Sequence, residues 1–554
     1  MRTLGIDLGT TYSVVATLDE HGRPIVLRNP LGEETTASVV CFESATSILV
    51  GSAARNAAPA YPDRTVALIK RQMGTDRLLS FDGVEYTPEA VSALILRALV
   101  DGVLPGRQPD QPVRAVVTVP AYFGIREREA TQQACLLAGI DTLELVSEPV
   151  AAAVHYGFSE TVGLGTAVVF DLGGGTFDAT VLTLGGRIQV VATDGDTELG
   201  GADWDRRLVS HMLDQFTAQV RPDTDPGDDE VFMSELELAA ERAKRALSTT
   251  AVQRVPLWYA GRGATITISR ADFEAATRDL VDSASQCLRR LLAAAGRAGV
   301  SEVDHCLLVG GSSRMPMIAA TLADEFGWQP RLFDPDLAVA KGAALRAHQI
   351  LRMPVSEKTW APRPRRAAEA PGGADISARG PVPTLGGPAA EPDPPAGATG
   401  LAAHPVAAVV ARGLGPLVHD SHDKSGQRRY VWHVVHQNDP LPVVDRQITL
   451  ATILDGQASI RIEVYEQAGA VESAEVDDNR LVLDGELSGL PPGLPAGSPI
   501  QLTLRIGLDG RLSLVATEPK SGAALTIEAC IDGVLDGSGR ERAARSLAGL
   551  AVRQ

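Results

Sequence analysis

Short apolar runs alternate with amphipathic stretches as far as residue 350. The runs at 3–7, 13–18, 115–119, 167–171, 179–184, 189–194 and 305–309 read as strands. The stretches at 88–99, 126–137, 149–156, 202–219, 233–247, 270–295 and 317–326 read as helices. Strands interleaved with helices of this length predict an α/β fold with covered sheets. Two of the strand runs share one punctuation. Leu4-Gly5-Ile6-Asp7-Leu8-Gly9-Thr10-Thr11-Tyr12-Ser13-Val14-Val15-Ala16 and Val168-Val169-Phe170-Asp171-Leu172-Gly173-Gly174-Gly175-Thr176-Phe177-Asp178-Ala179-Thr180-Val181-Leu182 both run strand, Asp-Leu-Gly turn, returning strand. The repeat predicts a duplicated architecture with two such hairpins facing one ligand.

Between residues 353 and 405 the periodicity stops. Pro, Gly and Ala dominate, as in Ala389-Ala390-Glu391-Pro392-Asp393-Pro394-Pro395, and nothing offsets chain entropy, so a disordered linker is expected. As a flexible coil it spans about 40 Å root-mean-square, which imposes no fixed geometry on what it joins. From residue 406 strict alternation begins. The runs 447–454 and 458–465 flank Asp455-Gly456, and 500–506 and 512–516 flank Asp509-Gly510; both read as hairpins. The expected division is an α/β domain over 1–352, the linker over 353–405, a β-sandwich over 406–536, and a short helix or tail over 537–554.

Composition narrows the function classes. A chain of 554 residues exceeds one core. The formal charge of −18 argues against a nucleic-acid footprint. No run of about eighteen uncharged apolar residues occurs, so no transmembrane helix and no membrane partner are expected. Asp7 interrupts any signal-peptide apolar region. Cys41, Cys135, Cys287, Cys306 and Cys530 are scattered and odd in number, which suits reduced thiols and a cytoplasmic setting.

The glycine turns suggest phosphate chemistry. Glycine lets backbone N–H groups approach phosphate oxygens without a Cβ clash, and Thr10, Thr11 and Thr176 add hydroxyls. A carboxylate cannot bind phosphate directly, so Asp7 and Asp171 are expected to act through Mg²⁺ and its waters. Two ordinary tight turns with capping aspartates are the alternative. No P-loop or dinucleotide fingerprint is present. A third glycine segment, Cys306-Leu307-Leu308-Val309-Gly310-Gly311-Ser312-Ser313-Arg314-Met315-Pro316, runs from a strand into a helix whose N-terminus suits a nucleotide's sugar or phosphate; a plain strand–helix turn fits equally.

These segments, with Val119-Pro120-Ala121-Tyr122-Phe123, Glu148-Pro149-Val150-Ala151-Ala152-Ala153 and Gly195-Asp196-Thr197-Glu198-Leu199-Gly200-Gly201, resemble the nucleotide-binding domain of heat-shock protein 70 (DnaK-type) chaperones. The resemblance spans residues 4–350 and implies a duplicated actin-like (RNase H-like) ATPase domain using ATP/ADP and Mg²⁺. It implies that Lys70 stabilises charge on the γ-phosphate and attacking water, that Glu148 orients water or metal, and that Thr176 faces the phosphates. Taken alone, Lys70 reads as a solvated helix lysine and Glu148 as a helix-start acid favoured by the dipole. By the same resemblance Gly9, Tyr12, Gly173, Gly174, Gly175, Gly200 and Gly201 line the nucleotide. Glu241, Lys244, Arg245 and Ser248 face its adenosine from one side, and Gly310, Gly311, Ser312, Arg314 and Asp336 from the other. Pro120 and Arg128 match positions that relay nucleotide state.

The chain also departs from the family. Gly124-Ile125 replaces the usual Asn-Asp after Phe123. Glu144 and Ser147 stand where an Arg and an Asn commonly meet J-domain co-chaperones, which argues against ordinary J-domain docking. A nucleotide-exchange factor is a possible partner. The β region is similar, more weakly, to the family's substrate-binding sandwich through Leu414-Gly415, Ala458-Ser459-Ile460-Arg461-Ile462, Leu487-Ser488-Gly489-Leu490-Pro491-Pro492 and 509–516. That similarity puts Ile460 in a pocket for unfolded or extended apolar peptides, flanked by Ile453 and the region of His419; strand alternation makes Ile460 core equally well. The short interdomain linker is replaced by the long one, with 406–410 as an apolar remnant, and a helical lid is not seen. His419, His422, His433 and His436 form two His-x-x-His pairs, but strand positions 433 and 436 face opposite ways, so zinc is not expected. The functional expectation is an ATP-hydrolysing chaperone acting in protein folding and the stress response. The alternative is a regulatory or scaffold ATPase whose β region binds one dedicated partner.

Overall fold

The computed structural model describes residues 3–107, 111–159, 165–185, 187–352, 406–420, 423, 427–507, 510–528 and 537–554. Two six-stranded sheets frame the first domain. One runs Ile140–Ser147, Val113–Val119, Leu4–Asp7, Tyr12–Leu18 and Pro24–Leu27, with Thr36–Ala37 added beside Tyr12–Leu18. The other runs Pro330–Leu332, His305–Val309, Gly165–Leu172, Phe177–Leu184, Ile188–Asp196 and Val406–Ala407. Both are built on an antiparallel hairpin whose first strand has a parallel neighbour, Val113–Val119 in one sheet and His305–Val309 in the other. The expected duplication is therefore carried by the topology.

Small side chains let the halves approach. Ala151, Ala152 and Ala153 of helix Glu148–Ser159 share an apolar cluster with Ala338, Ala343 and Ala347 of helix Ala338–Arg352. Bulkier residues there would force the close-packed helices apart. Each half has an addition that the apolar pattern hid. One is a small sheet of Val40–Ser44, Ser47–Val50 and Thr65–Val66; the other is the hairpin Val252–Tyr259 with Arg262–Ser269. Pro256 and the exposed Trp258 blur the alternation of that hairpin. The single helix expected over 270–295 is two helices, Arg270–Ala276 and Arg278–Arg297. The break falls at buried Thr277, whose hydroxyl donates to the Phe273 carbonyl at 2.8 Å. Such back-bonding competes with the helix ladder.

The β region packs two four-stranded antiparallel sheets over one core. Their orders are Arg429–Val431, Leu414–His419, Ser459–Gln467, Asn479–Ser488, and Val443–Ala451, Pro499–Ile506, Leu512–Thr517, Ala524–Glu528. The strands flanking Asp509-Gly510 pair antiparallel as expected, with Ile506 opposite Leu512; Asp509 itself lies outside the described residues. The one expected around Asp455-Gly456 does not. Val443–Ala451 pairs with Pro499–Ile506, while Ser459–Gln467 pairs with strands of the other sheet. Asp455 is held instead by the Ala496 N–H at 2.7 Å, so this turn is a corner between sheets.

The sandwich lies against the first domain. Val406–Ala407 runs parallel to Ile188–Gln189, and the Thr193 N–H donates to Asn438 Oδ1 at 2.8 Å. Buried Glu466 accepts the Ile125 N–H at 2.9 Å. Arg480 donates to buried Glu127 at 2.9 Å, and buried Arg412 stacks 4.7 Å from the Tyr122 ring. The arrangement is fixed by these contacts, not left open as the linker's length suggested. The tail is more than a short helix: Gly537–Ala548 is followed by a strand, Ala551–Arg553, paired with Ser47–Val50 of the first domain. Cys41, Cys135, Cys287 and Cys306 are buried free thiols; Cys530 lies outside the described residues. No described helix is long and apolar enough to cross a membrane.

Candidate active site

The two Asp-Leu-Gly turns meet face to face. A Cβ on Gly174 would lie 2.0 Å from Thr11 Oγ1, and one on Gly175 would lie 2.2 Å from Thr10 Cγ2. Only glycine permits that approach. Thr10 and Thr176 are buried beside the turns. Strand ends deliver Asp7 and Asp171, and Asp178 stands opposite Asp171 in the second hairpin. Lys70 comes from a 3-10 turn, Ile69–Gln72, entered through Leu68 at φ 56°. Its ammonium donates to Glu148 Oε1 at 2.6 Å, both side chains being buried. At 4% exposure Lys70 is not the solvated helix lysine of the bland alternative.

Four carboxylates thus surround one ammonium. Asp7 and Asp178 are pushed up to about 7, in each case first by burial and then by Glu148. Burial pushes Asp171 well above the carboxylate range, helped by Glu148, Asp178 and Asp7. Mutual elevation marks an excess of negative charge that a cation would relieve. Among the described residues no three carboxylate, His or Cys side chains converge to hold an ion directly. The donor set therefore fits Mg²⁺ retained through its own waters, the hydrated form that this ion prefers.

Residues of the expected adenosine side flank the turns. Glu241, Lys244 and Arg245 lie on helix Glu230–Leu247, and Ser248 follows it. Gly310, Gly311, Ser312 and Arg314 form the turn after His305–Val309, and Arg314 pairs with Asp336. Lys244 is engaged by the protein, donating to the Gly201 carbonyl at 2.8 Å and to Asp205 at 2.7 Å. Gly200 donates its N–H to Asp203 Oδ2 at 2.7 Å, which fixes the turn before helix Gly201–Val220. Tyr12 reaches the same side, its hydroxyl meeting Arg55, which also pairs with Glu241.

Three site residues escaped the sequence reading. Asp178 was visible as the second Asp of its hairpin, though strand alternation made it an ordinary core-facing position. Arg71 adjoins Lys70 and donates to the Gly175 carbonyl at 2.7 Å and to Asp203 at 2.5 Å. Arg55 had no signal, since its partners lie 43 and 186 positions away.

Pro120 and Arg128, the expected relay positions, lie near the contact between the first domain and the sandwich. Pro120 starts the turn that accepts the Phe123 N–H at 3.2 Å, and Arg128 Nε donates to the Phe123 carbonyl at 3.1 Å. Within that turn the Tyr122 N–H donates to Asp178 Oδ1 at 2.9 Å, and its hydroxyl to the Gly469 carbonyl of the sandwich at 2.9 Å. One residue thus touches both the carboxylate cluster and the β region. Glu144 is paired with Arg346 at 2.6 Å. In the sandwich, Ile460 is half-buried against the core and Ile453 is exposed. His436 pairs with Glu472 at 2.8 Å and His433 is held below its usual range by burial; no histidine cluster able to hold a metal occurs among the described residues, and His422 lies outside them. The family model described as Hsp70 protein matches residues 3–81 and 76–357.

Proposed function

Because the chain belongs to the heat-shock protein 70 family of ATPase chaperones, we propose that its cleft hydrolyses ATP and that its β region holds an extended apolar peptide. The observation that carries this reading is the buried Lys70–Glu148 pair among Asp7, Asp171 and Asp178, at the point where two glycine turns meet. Phosphoryl transfer asks a protein chiefly for positioning and charge stabilisation. The N–H groups of Gly9, Thr10, Gly174 and Gly175, with the Thr10, Thr11 and Thr176 hydroxyls, supply donors for phosphate oxygens, while the Gly173 N–H closes its turn onto the Thr176 carbonyl at 3.0 Å. Lys70 faces the charge that develops on the transferred group, and Glu148 orients the attacking water. Asp7 and Asp171 would hold Mg²⁺ through its waters; when bound, that ion neutralises phosphate charge. Glu241, Lys244, Arg245 and Ser248 frame the adenosine against Gly310, Gly311, Ser312, Arg314 and Asp336.

A second reading is a regulatory ATPase whose sandwich serves one dedicated partner. The buried contacts of Arg412 and Glu466 with the first domain favour it, since they hold the sandwich in one defined pose. The two separate by turnover with and without short apolar peptides, with Lys70→Ala as the inactive control. Chaperoning predicts a peptide-stimulated rate that Ile460→Asp abolishes. An unstimulated wild-type rate, with intact basal hydrolysis, leaves the dedicated-partner reading.

A further inference from the structure

After the sandwich the chain returns to the first domain. Strand Ala524–Glu528 ends the sandwich, and eight residues, 529–536, precede helix Gly537–Ala548. Ala543, Leu547 and Leu550 are buried in the first domain's apolar cluster with Phe42, Tyr86 and Leu94. The strand that follows lies parallel to Ser47–Val50, with Ala551 opposite Ser47, Val552 opposite Ile48 and Arg553 opposite Leu49. The Ala551 N–H donates to the Thr46 carbonyl at 2.9 Å. Arg553 pairs with Glu43 and donates to Ser47 Oγ, and the Gln554 amide donates to the Ala98 carbonyl. Without this segment Ser47–Val50 would be an open sheet edge beside an uncovered apolar groove. Strand addition at an edge and a helix in an apolar groove are two general ways of binding a peptide. Here both are used by one segment of the chain itself.

The sandwich is tied to the first domain at both ends. Six residues, 408–413, separate its first strand from Val406–Ala407, seated beside Ile188–Gln189, and eight separate its last strand from the tail helix. Eight residues reach no more than about 30 Å when fully extended, so a seated tail confines the far end of the sandwich as the short pairing at 406–407 confines its near end. We propose that residues 537–554 are a cis-docking segment for a helix-and-strand groove on the first domain, and that its seating retains the sandwich there. The inference does not depend on the nucleotide reading.

The test titrates a labelled synthetic peptide of residues 537–554 into the full wild-type chain and into two full-chain variants, with scattering measured on each. Ala551→Pro removes an N–H at an exposed position and leaves the core intact; Leu547→Asp places a charge in the groove. A segment on a short connector acts at an effective concentration on the order of millimolar, so the wild-type chain resists the peptide and the variants take it at least about tenfold more tightly. Their radius of gyration rises as well. Folding is checked by thermal melting, and the exposed Ala551→Pro change decides the matter if Leu547→Asp does not fold. Equal affinity in all chains, no uptake by folded Ala551→Pro, or an unchanged radius would overturn the proposal. A wild-type dimer that the variants dissolve would assign the seat to a second copy's tail, and would overturn the cis assignment.

Discussion

Lys70 is one ammonium beside four carboxylates, Asp7, Glu148, Asp171 and Asp178, and that imbalance governs how the cleft responds to pH. In the cation-free protein Asp7 and Asp178 titrate near 7, raised first by burial and then by Glu148. In the unfolded chain both titrate near the ordinary carboxylate value of about 4. The native state therefore holds more protons between those values. The stability that these groups contribute is fully present below about pH 4 and is lost as pH rises through about 7. A cation entering the cluster must displace those protons. Titration calorimetry of Mg²⁺–ADP in buffers of different ionisation enthalpy should show net proton release at neutral pH, with affinity rising from about pH 6 to about pH 8. Asp178→Asn should diminish the release. Affinity that does not change with pH would show that the carboxylates are not coupled to the ion.

Helix Ile125–Leu137 shows how an element can be completed by a distant one. Its N-cap, Gly124, offers no side chain, and the Ile125 N–H goes instead to Glu466 of the sandwich. Burial and then Glu127 push Glu466 up to about 7. Burial raises Glu127 too, but Arg412 and Arg480 outweigh it and hold that carboxyl low. The glycine at 124 thus has a physical reason, because a Cβ there would lie 2.3 Å from Glu466 Oε2. Gly124→Asn should cost about 1–3 kcal/mol by overpacking, read as a lowered urea midpoint of the full chain. Glu466→Ala combined with it should add little, since the clash partner is then gone; fully additive losses would refute the contact. What the sequence made legible was local. The paired Asp-Leu-Gly turns and their glycines announced themselves because strand, turn and return lie within one short stretch. The Glu127–Arg480 bond joins residues 353 positions apart, and no period records it. Asp455-Gly456 carried a true turn signal, but a corner between sheets uses the same residues as a hairpin. The tail strand Ala551–Arg553 is too short to alternate, and its identity as a strand depends wholly on the edge that it meets.

At the scale of the molecule, two duplicated halves close on a carboxylate-rich cleft, and the sandwich leans on the turn that lines it. Tyr122 spans the joint, bound to Asp178 on one side and to Gly469 on the other. The cleft brings Asp7, Lys70, Glu148 and Asp171 together, and its link to the β region runs through Arg412, Glu466 and the returning tail. The claim on which the rest stands is that the cleft hydrolyses ATP with Lys70. Its most direct test is Mg²⁺-dependent ATP turnover by the full chain and by Lys70→Ala, with nucleotide affinity measured on both. The account predicts a slow wild-type rate that falls about 10²-fold or more in the variant, as loss of a preorganised charge does elsewhere, while the variant still binds nucleotide. Equal turnover by the two chains, or no nucleotide binding by the folded wild-type protein, would contradict it.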